Sequence, residues 1–438
     1  MSMAVLDHWR HLLNTPKTLT CKKMKLLARD HEEPIIIGTG EFNIIDNTTF
    51  RYTLRGRPAD AAYTFHQLKR QRENPYESLM RFRLVFWDEG GVEYAGGWTV
   101  PHVEPGSGDE WIFSGETHSG PWLHEPCDAS ESNATELIFA IPRGSAAALC
   151  LSRFVRMPHE GMKHIPEYVL HTLGSDIAFH YDSAVGLLSV NVPASAQLPL
   201  TFTENWIAEP LRIMFGQLIY PRLVARNLPD GFSHISLRPA PDFSDVTGWL
   251  TLWSGENALT DQIGFWNLYA QILSYVALSR DSGGDPNFDR NKLTRLYEEV
   301  IQAASGSRWV WALTTASSVE AITRKLISPD ATRPGVDMEA IKALSVHIDA
   351  WKGDQGLKSA AVGAVKRQVQ MTAKRALVAF KDRQVITAEQ LDAWETLRNS
   401  VMHGSLVPPY STESEDAQML ALAGLLHALT RELVRVER

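Results

Sequence analysis

Leu397-Arg398-Asn399-Ser400-Val401-Met402-His403-Gly404 closes a helical pattern that begins near Thr387. A helix advances by about 100° per residue, so Asn399 and His403, four apart, share a face. Arg398 and His403 are five apart and diverge by roughly 140° on the same helix. One copy of this helix does not readily bring both side chains into one site, whereas two copies packed against each other would. Gly404 stands where a residue in the left-handed conformation ends a helix, which sets His403 in the last turn beside the partly negative carbonyl end. Such a setting suits proton transfer near neutral pH. An Arg-x4-His spacing also arises by chance, so the helical frame carries the reading. Arg153 and His159, with Pro158 between them in a strand-rich stretch, lack that frame.

Outward from this stretch, the chain reads as helical over residues 306–438. Apolar periodicity predicts helices over Arg308 to Ile327, Asp337 to Trp351, Lys358 to Lys381, Thr387 to His403 and Glu413 to Val436. The short connections between them imply antiparallel neighbours and a helical bundle. The third helix and its flanks carry Lys352, Lys358, Lys366, Arg367, Lys374, Arg375, Lys381 and Arg383 against Asp354 and Asp382. This is either a solvated helix face or a stripe that tracks phosphates beside the Arg/His helix.

Residues 1–245 read differently. Short runs rich in aromatic and β-branched residues lie between Gly, Pro, Asn and Asp: Ile35-Ile37, Phe42-Ile45, Phe50-Leu54, Leu79-Trp87, Trp98-Val103, Trp111-Ser114, Leu137-Ile141, Phe154-Met157 and Leu187-Val192. They predict an antiparallel, β-rich domain, a sandwich or an open barrel, and an α+β protein overall. Gly38-Thr39-Gly40 lacks the spacing and the following helix of a phosphate loop and reads as a simple turn. His118, His124 and Cys127 fall close together in a Gly/Pro/Ser-rich stretch. They lack a fourth ligand at sensible spacing and read as loop residues rather than a metal set. Glu209 to Gly216 predicts a short amphipathic helix. Residues 246–305 read as a helical linker region, with helices over Asp261 to Ser279 and Asp289 to Ala304 on either side of Asp281-Ser282-Gly283-Gly284-Asp285-Pro286.

Composition sets outer limits. The chain has 438 residues, 44% hydrophobic and 21% charged, with a formal net charge of −8. No global basic field marks a nucleic-acid binder, so any such surface has to be local. Three widely spaced cysteines, Cys21, Cys127 and Cys150, argue for a reducing compartment rather than a disulfide framework. Asp7, His8, Arg10 and His11 interrupt the first apolar residues, which argues against a signal peptide. No apolar run reaches membrane-spanning length. The expectation is a soluble, cytoplasmic protein without membrane contact.

With these residues in view, the C-terminal part resembles the HEPN superfamily, specifically its Apea-like group. Leu397-Arg398-Asn399-Ser400-Val401-Met402-His403-Gly404 resembles that family's Arg-polar-x3-His signature. Ser307-Arg308-Trp309-Val310-Trp311-Ala312-Leu313 and Ala316-Ser317-Ser318-Val319-Glu320-Ala321 resemble its first bundle helix, and Thr294-Arg295-Leu296-Tyr297-Glu298-Glu299 the segment leading into it. The resemblance covers roughly Asn291 to Arg438. Residues 1–245 resemble only in kind the β-rich N-terminal domains such proteins carry.

The resemblance implies a HEPN helical bundle with metal-independent endoribonuclease activity and no cofactor. It implies a homodimer through the bundle, in which two motif helices meet in one cleft. RNA carries its own nucleophile, the 2′-OH. His403 would take that proton or protonate the leaving 5′-oxygen, leaving a 2′,3′-cyclic phosphate or 3′-phosphate. Arg398 would hold the phosphate, Asn399 would orient His403 or donate to a phosphate oxygen, and Glu320 would hold Arg398. Lys366, Arg367, Lys374 and Arg375 would bind the RNA. At the cellular level the resemblance implies anti-phage defence or toxin-like growth arrest, with residues 1–245 sensing a phage-derived trigger or restraining the nuclease. The alternative is a catalytically inactive HEPN module for interaction or dimerisation in a defence or regulatory complex. A nucleotidyltransferase would need a phosphate loop or paired aspartates, and neither is present in the sequence.

Overall fold

Exposed and buried residues alternate along the N-terminal strands, and this alternation wraps a sheet around an aromatic core. The computed structural model describes residues 4–436 apart from 29–32, 59, 75, 106–108, 129–130, 160–161, 242–249, 256–257, 282, 287–290, 329–335 and 403–411. Contacts divide the chain into two compact units. One is Met1–Asp245 with Trp253–Asn291, and the other is Val246–Leu252 with Lys292–Arg438. The expected linker region 246–305 is therefore shared out between the two.

The first unit is built on a 14-stranded antiparallel ladder. Its first seven strands are β1 (Lys17–Ala28), β2 (Pro34–Ile44), β3 (Phe50–Pro58), β4 (Phe82–Asp88), β5 (Glu93–Thr99), β6 (His102–Pro105) and β7 (Trp111–Glu116). They pair in the order β5-β4-β1-β2-β3-β7-β6. The run then returns on itself: Thr99 bridges Thr117, and the His118 N–H donates to the Trp98 carbonyl at 3.0 Å. Phe42, Phe50, Tyr52, Phe86, Tyr94 and Phe113 fill the ring. Phe42 and Phe86 stack at 4.7 Å and Phe86 and Tyr94 at 5.1 Å. Helix α1 (Ala4–Trp9) adds Leu6 and Trp9 to the same core, and α2 (Ala61–Glu73) adds Leu68.

Gly38-Thr39-Gly40 is not a turn but the middle of β2. A Cβ on Gly38 would lie 1.9 Å from the Arg55 carbonyl oxygen and 2.8 Å from the Gly56 Cα. The glycines are there because β2 and β3 approach too closely for side chains.

The ladder continues through β8 (Trp122–Pro126), β9 (Ala134–Ala140), β12 (Glu167–Thr172), β13 (Ser175–Asp182), β14 (Leu187–Pro193), β15 (Pro221–Asn227) and β16 (Phe232–Leu237), while β10 (Met157–His159) and β11 (Met162–Ile165) form a separate ribbon. Helices α3 (Ala146–Phe154), α4 (Thr203–Trp206) and α6 (Gln262–Leu278) pack with these strands, and α5 (Ala208–Phe215) packs against α4 and α6. The amphipathic helix expected at Glu209 to Gly216 is instead buried on every side as α5, and it ends at Gly216 with φ +58°. Helix α6 belongs to this unit because its aromatic face meets the sheet, with Trp266 stacked on Tyr168 at 4.3 Å.

The second unit is helical: α7 (Lys292–Ala304), α8 (Arg308–Leu326), α9 (Met338–Ala350), α10 (Gln355–Val369), α11 (Ala373–Asp382), α12 (Ala388–Met402) and α13 (Glu413–Val436). Trp311, Val319, Ile322, Leu397, Leu422 and Leu426 are among its buried side chains. Helix α9, by contrast, buries no residue. The single helix expected over Lys358 to Lys381 is two. The chain breaks at residues 370–372, and the Thr372 hydroxyl accepts from the Arg375 N–H to cap α11. Leu250 and Leu252 lie against α13, where the His427 ring meets the Leu250 carbonyl at 3.2 Å and Arg431 donates to the Leu252 carbonyl at 2.9 Å. Among the described residues, no helix is long and apolar enough to cross a membrane.

Candidate functional site

Helix α12 buries Leu391, Trp394 and Leu397 in the helical unit and leaves Glu395, Arg398 and Asn399 towards its surface. Trp394 is anchored by its indole N–H, which donates to the Ala316 carbonyl at 3.2 Å. Arg398, four residues on, lays its guanidinium over that indole at 5.4 Å. Helix α8 presents Glu320 to it in turn. Val319 and Ile322 point into the core, so Glu320 and Arg324, four apart, share the helix edge. One Glu320 oxygen accepts from Arg324 at 2.5 Å and the other from Arg398 Nε at 3.4 Å.

The start of α11 forms the opposite wall. Lys374 Nζ pairs with Glu395 at 2.8 Å. These elements enclose a cleft of about 630 Å³, lined by Glu320, Arg324, Thr372, Lys374, Arg398 and Asn399 among others. Its charged lining is three cations (Arg324, Lys374 and Arg398) against two carboxylates (Glu320 and Glu395), a surplus of one positive charge. The side chain of Arg398 is 39% exposed and that of Glu320 23%, so both pairs stay open to water. An anionic group entering the cleft meets donors on both walls, and the carboxylates keep those donors in place when it is empty.

Of the expected site residues, Arg398, Asn399 and Glu320 come together. His403 and Gly404 lie outside the described residues; α12 is described to Met402. The expected basic stripe is divided by the break between α10 and α11. Lys366 and Arg367 fall on α10, with side chains outside the described residues. Lys374 reaches the cleft, and Arg375 donates to the Gln370 carbonyl at 3.0 Å, fastening the break instead. Sequence reasoning missed Arg324, Trp394 and the Lys374–Glu395 pair. The four-residue step from Glu320 to Arg324 was a readable signal, whereas the Lys374–Glu395 contact joins two helices and left no trace in local spacing.

The loop expected around His124 is strand β8, where the imidazole packs against Trp122 at 5.4 Å and His234 at 5.1 Å. Among the described residues, no three or more His, Cys, Asp or Glu side chains are grouped to hold a metal ion. Comparison with known proteins finds no matching family model, no matching curated protein and no matching solved structure.

Proposed function

We propose that the helical unit is a metal-independent endoribonuclease of the HEPN type, active as a two-fold dimer. The observation that carries this reading is the Glu320–Arg398 pair at the cleft, where a carboxylate on α8 presents a partly exposed guanidinium beside Asn399. In the proposed reaction the 2′-oxygen attacks the adjacent phosphorus and the P–O5′ bond breaks. The 2′-proton passes to a base and the leaving 5′-oxygen is protonated, roles given to His403 of the two copies. Arg398 holds the phosphate and stabilises its added charge. The dimer follows from the 140° divergence of positions 398 and 403, roughly, on one helix, and two-fold pairs are the commonest oligomers. Anti-phage defence or growth arrest, with the sheet unit as sensor or restraint, extends the proposal to the cell.

A second reading has the same pair as its support. An arginine already held by Glu320 and Trp394 also suits a non-catalytic assembly module. The test is full-length protein incubated with total RNA in EDTA, beside His403→Ala and Arg398→Ala. The expected products carry a 2′,3′-cyclic phosphate or 3′-phosphate and a 5′-OH, and both variants are nearly inactive. Cleavage that stops in chelator, or an all-deoxy strand cut at an equal rate, overturns the nuclease. Full activity from a protein that is monomeric by light scattering overturns the dimer.

A further inference from the structure

The sheet unit carries a local charge pattern that the net charge of −8 conceals. Cross-strand register sets it out row by row. Arg57 of β3 lies opposite Ile37 of β2, Ile37 opposite Lys25 of β1, and Lys25 opposite Val85 of β4. Residues two apart on a strand share a face, so Arg55, Lys23 and Trp87 extend the same face. Lys23 and Lys25 both sit over the Trp87 ring, at 4.9 and 5.3 Å. Lys23, Arg55 and Arg57 are exposed, and Lys25 is half-buried. Among the described residues none of these four cations pairs with a carboxylate, whereas Arg51, further along β3, is held by Glu116 at 2.9 Å.

Across β4 the face continues, with Val85 opposite Ala95 of β5 and Ala95 opposite Trp122 of β8. Strands β5 and β8 are joined by that one pair. The seam beside it opens into a cleft of about 560 Å³ lined by Arg83, Glu93, Trp122 and His124 among others.

We propose that this face binds single-stranded nucleic acid, with phosphates along Lys23, Lys25, Arg55 and Arg57 and a base in the seam cleft against Trp122. Residues two apart on a strand are about 6.6 Å apart, so the lysines and arginines form two parallel rows of regularly spaced cations. Four such charges without acidic partners, on an acidic chain, match a polyanion. The seam cleft has the size of a small-ligand site and offers an aromatic face with polar edges, which suits an unpaired base. A double helix keeps its bases inside and would leave that cleft unused. An anionic membrane fits less well, because the row has little apolar surface to insert: Ile37 is 42% exposed, but Val85 and Ala95 are buried. The inference stands whether or not the helical unit cleaves RNA.

The test is fluorescence anisotropy on the full-length protein, with a labelled oligothymidine 15-mer and its 2′-O-methyl oligouridine counterpart. Neither offers a free 2′-OH, so both survive the assay. Reversing two charges, as Lys25→Glu with Arg57→Glu, is expected to weaken binding of both at least about tenfold and to lower the salt-dependence slope by about 1.4. Trp122→Ala is expected to weaken binding several-fold with the slope unchanged. Arg51→Ala, which removes a cation already paired with Glu116, should bind as the parent does. The proposal is overturned if the charge-reversed protein, natively folded by circular dichroism, binds with parental affinity. It is equally overturned if Arg398→Ala abolishes binding, if a 15-base-pair duplex binds as tightly as the single strand, or if charge reversal removes binding to phosphatidylserine vesicles but not to the oligonucleotides.

Discussion

Among the described residues, Glu204 in the sheet unit, and Glu320 and Glu432 in the helical unit, are each held between two arginines, and the contrast lies between Glu204 and Glu320. Glu204 is 1% exposed and takes both Arg226 Nε, at 3.1 Å, and Arg226 Nη2, with Arg238 Nη2 at 2.9 Å. Glu320 stands at a cleft, with one contact to an exposed Arg324 and one long contact to Arg398. The composition is the same and the environment differs. In the buried cluster the desolvated charge demands every donor it has, so the arginines are committed. In the open cluster water and a ligand compete for the guanidinium at small cost, so Arg398 can be held and yet remain available.

The comparison breaks if the buried cluster proves dispensable. Replacing Arg226 and Arg238 together by Met leaves Glu204 buried without either partner and is expected to cost about 3–5 kcal/mol, read from urea unfolding. A loss within 1 kcal/mol, roughly the surface-pair range, would erase the distinction.

The next effect concerns acid. Burial holds the His427 ring at a pKa of about 4, against 6.5 for the free side chain. The folded protein therefore keeps this ring neutral while the unfolded chain takes up a proton, so stability is full above about pH 6.5 and drains away as pH falls towards 4. His234, also pushed down to about 4 by burial and by His124 beside it, adds the same dependence in the sheet unit. Urea midpoints between pH 7 and 4.5 should fall, and His427→Gln should flatten part of that fall. An unchanged slope in the variant would assign the acid sensitivity elsewhere.

Smaller still in stability is Glu320→Gln, expected to cost about 1 kcal/mol or less. If the cleft is catalytic, its RNA cleavage falls by about ten- to a hundredfold, because Arg398 loses its placement rather than its charge. Stability lost in proportion to activity would make Glu320 a second Glu204. The smallest change is Lys374→Ala, about 0.5 kcal/mol in unfolding; if the cleft is catalytic, KM for RNA rises with little change in kcat.

Much of this was legible in the chain, and two of the exceptions share a cause. The helices over residues 308–326, 388–402 and 413–436 lie where the sequence places them. Strand β1 went unread because Lys22, Lys23 and Lys25 break the two-residue alternation where the strand bulges between Cys21 and Lys23. The β2 glycines read as punctuation because their reason, the close approach of β3, lies in another strand. The break at residues 370–372 contains neither Pro nor Gly, and only the Thr372 cap marks it. Within the cleft, Arg398 and Asn399 were found by motif and Glu320 by resemblance, while the α11 wall depended on a tertiary contact. For the β2 glycines and the α11 wall, local pattern failed where a partner distant in sequence set the conformation.

The assignment of Leu250 and Leu252 to α13 bears on biosynthesis. The chain passes from one unit to the other after Asp245, back after Leu252 and across again after Asn291, so neither unit is one continuous stretch. On the ribosome, the sheet unit stays incomplete until Phe265, Trp266 and Tyr269 emerge. The strand of chain that His427 and Arg431 await is made long before α13 itself. Helix α13 thus fixes a crossing made long before it. A nascent chain stalled ahead of α13 would carry a finished sheet unit and an unsecured connector.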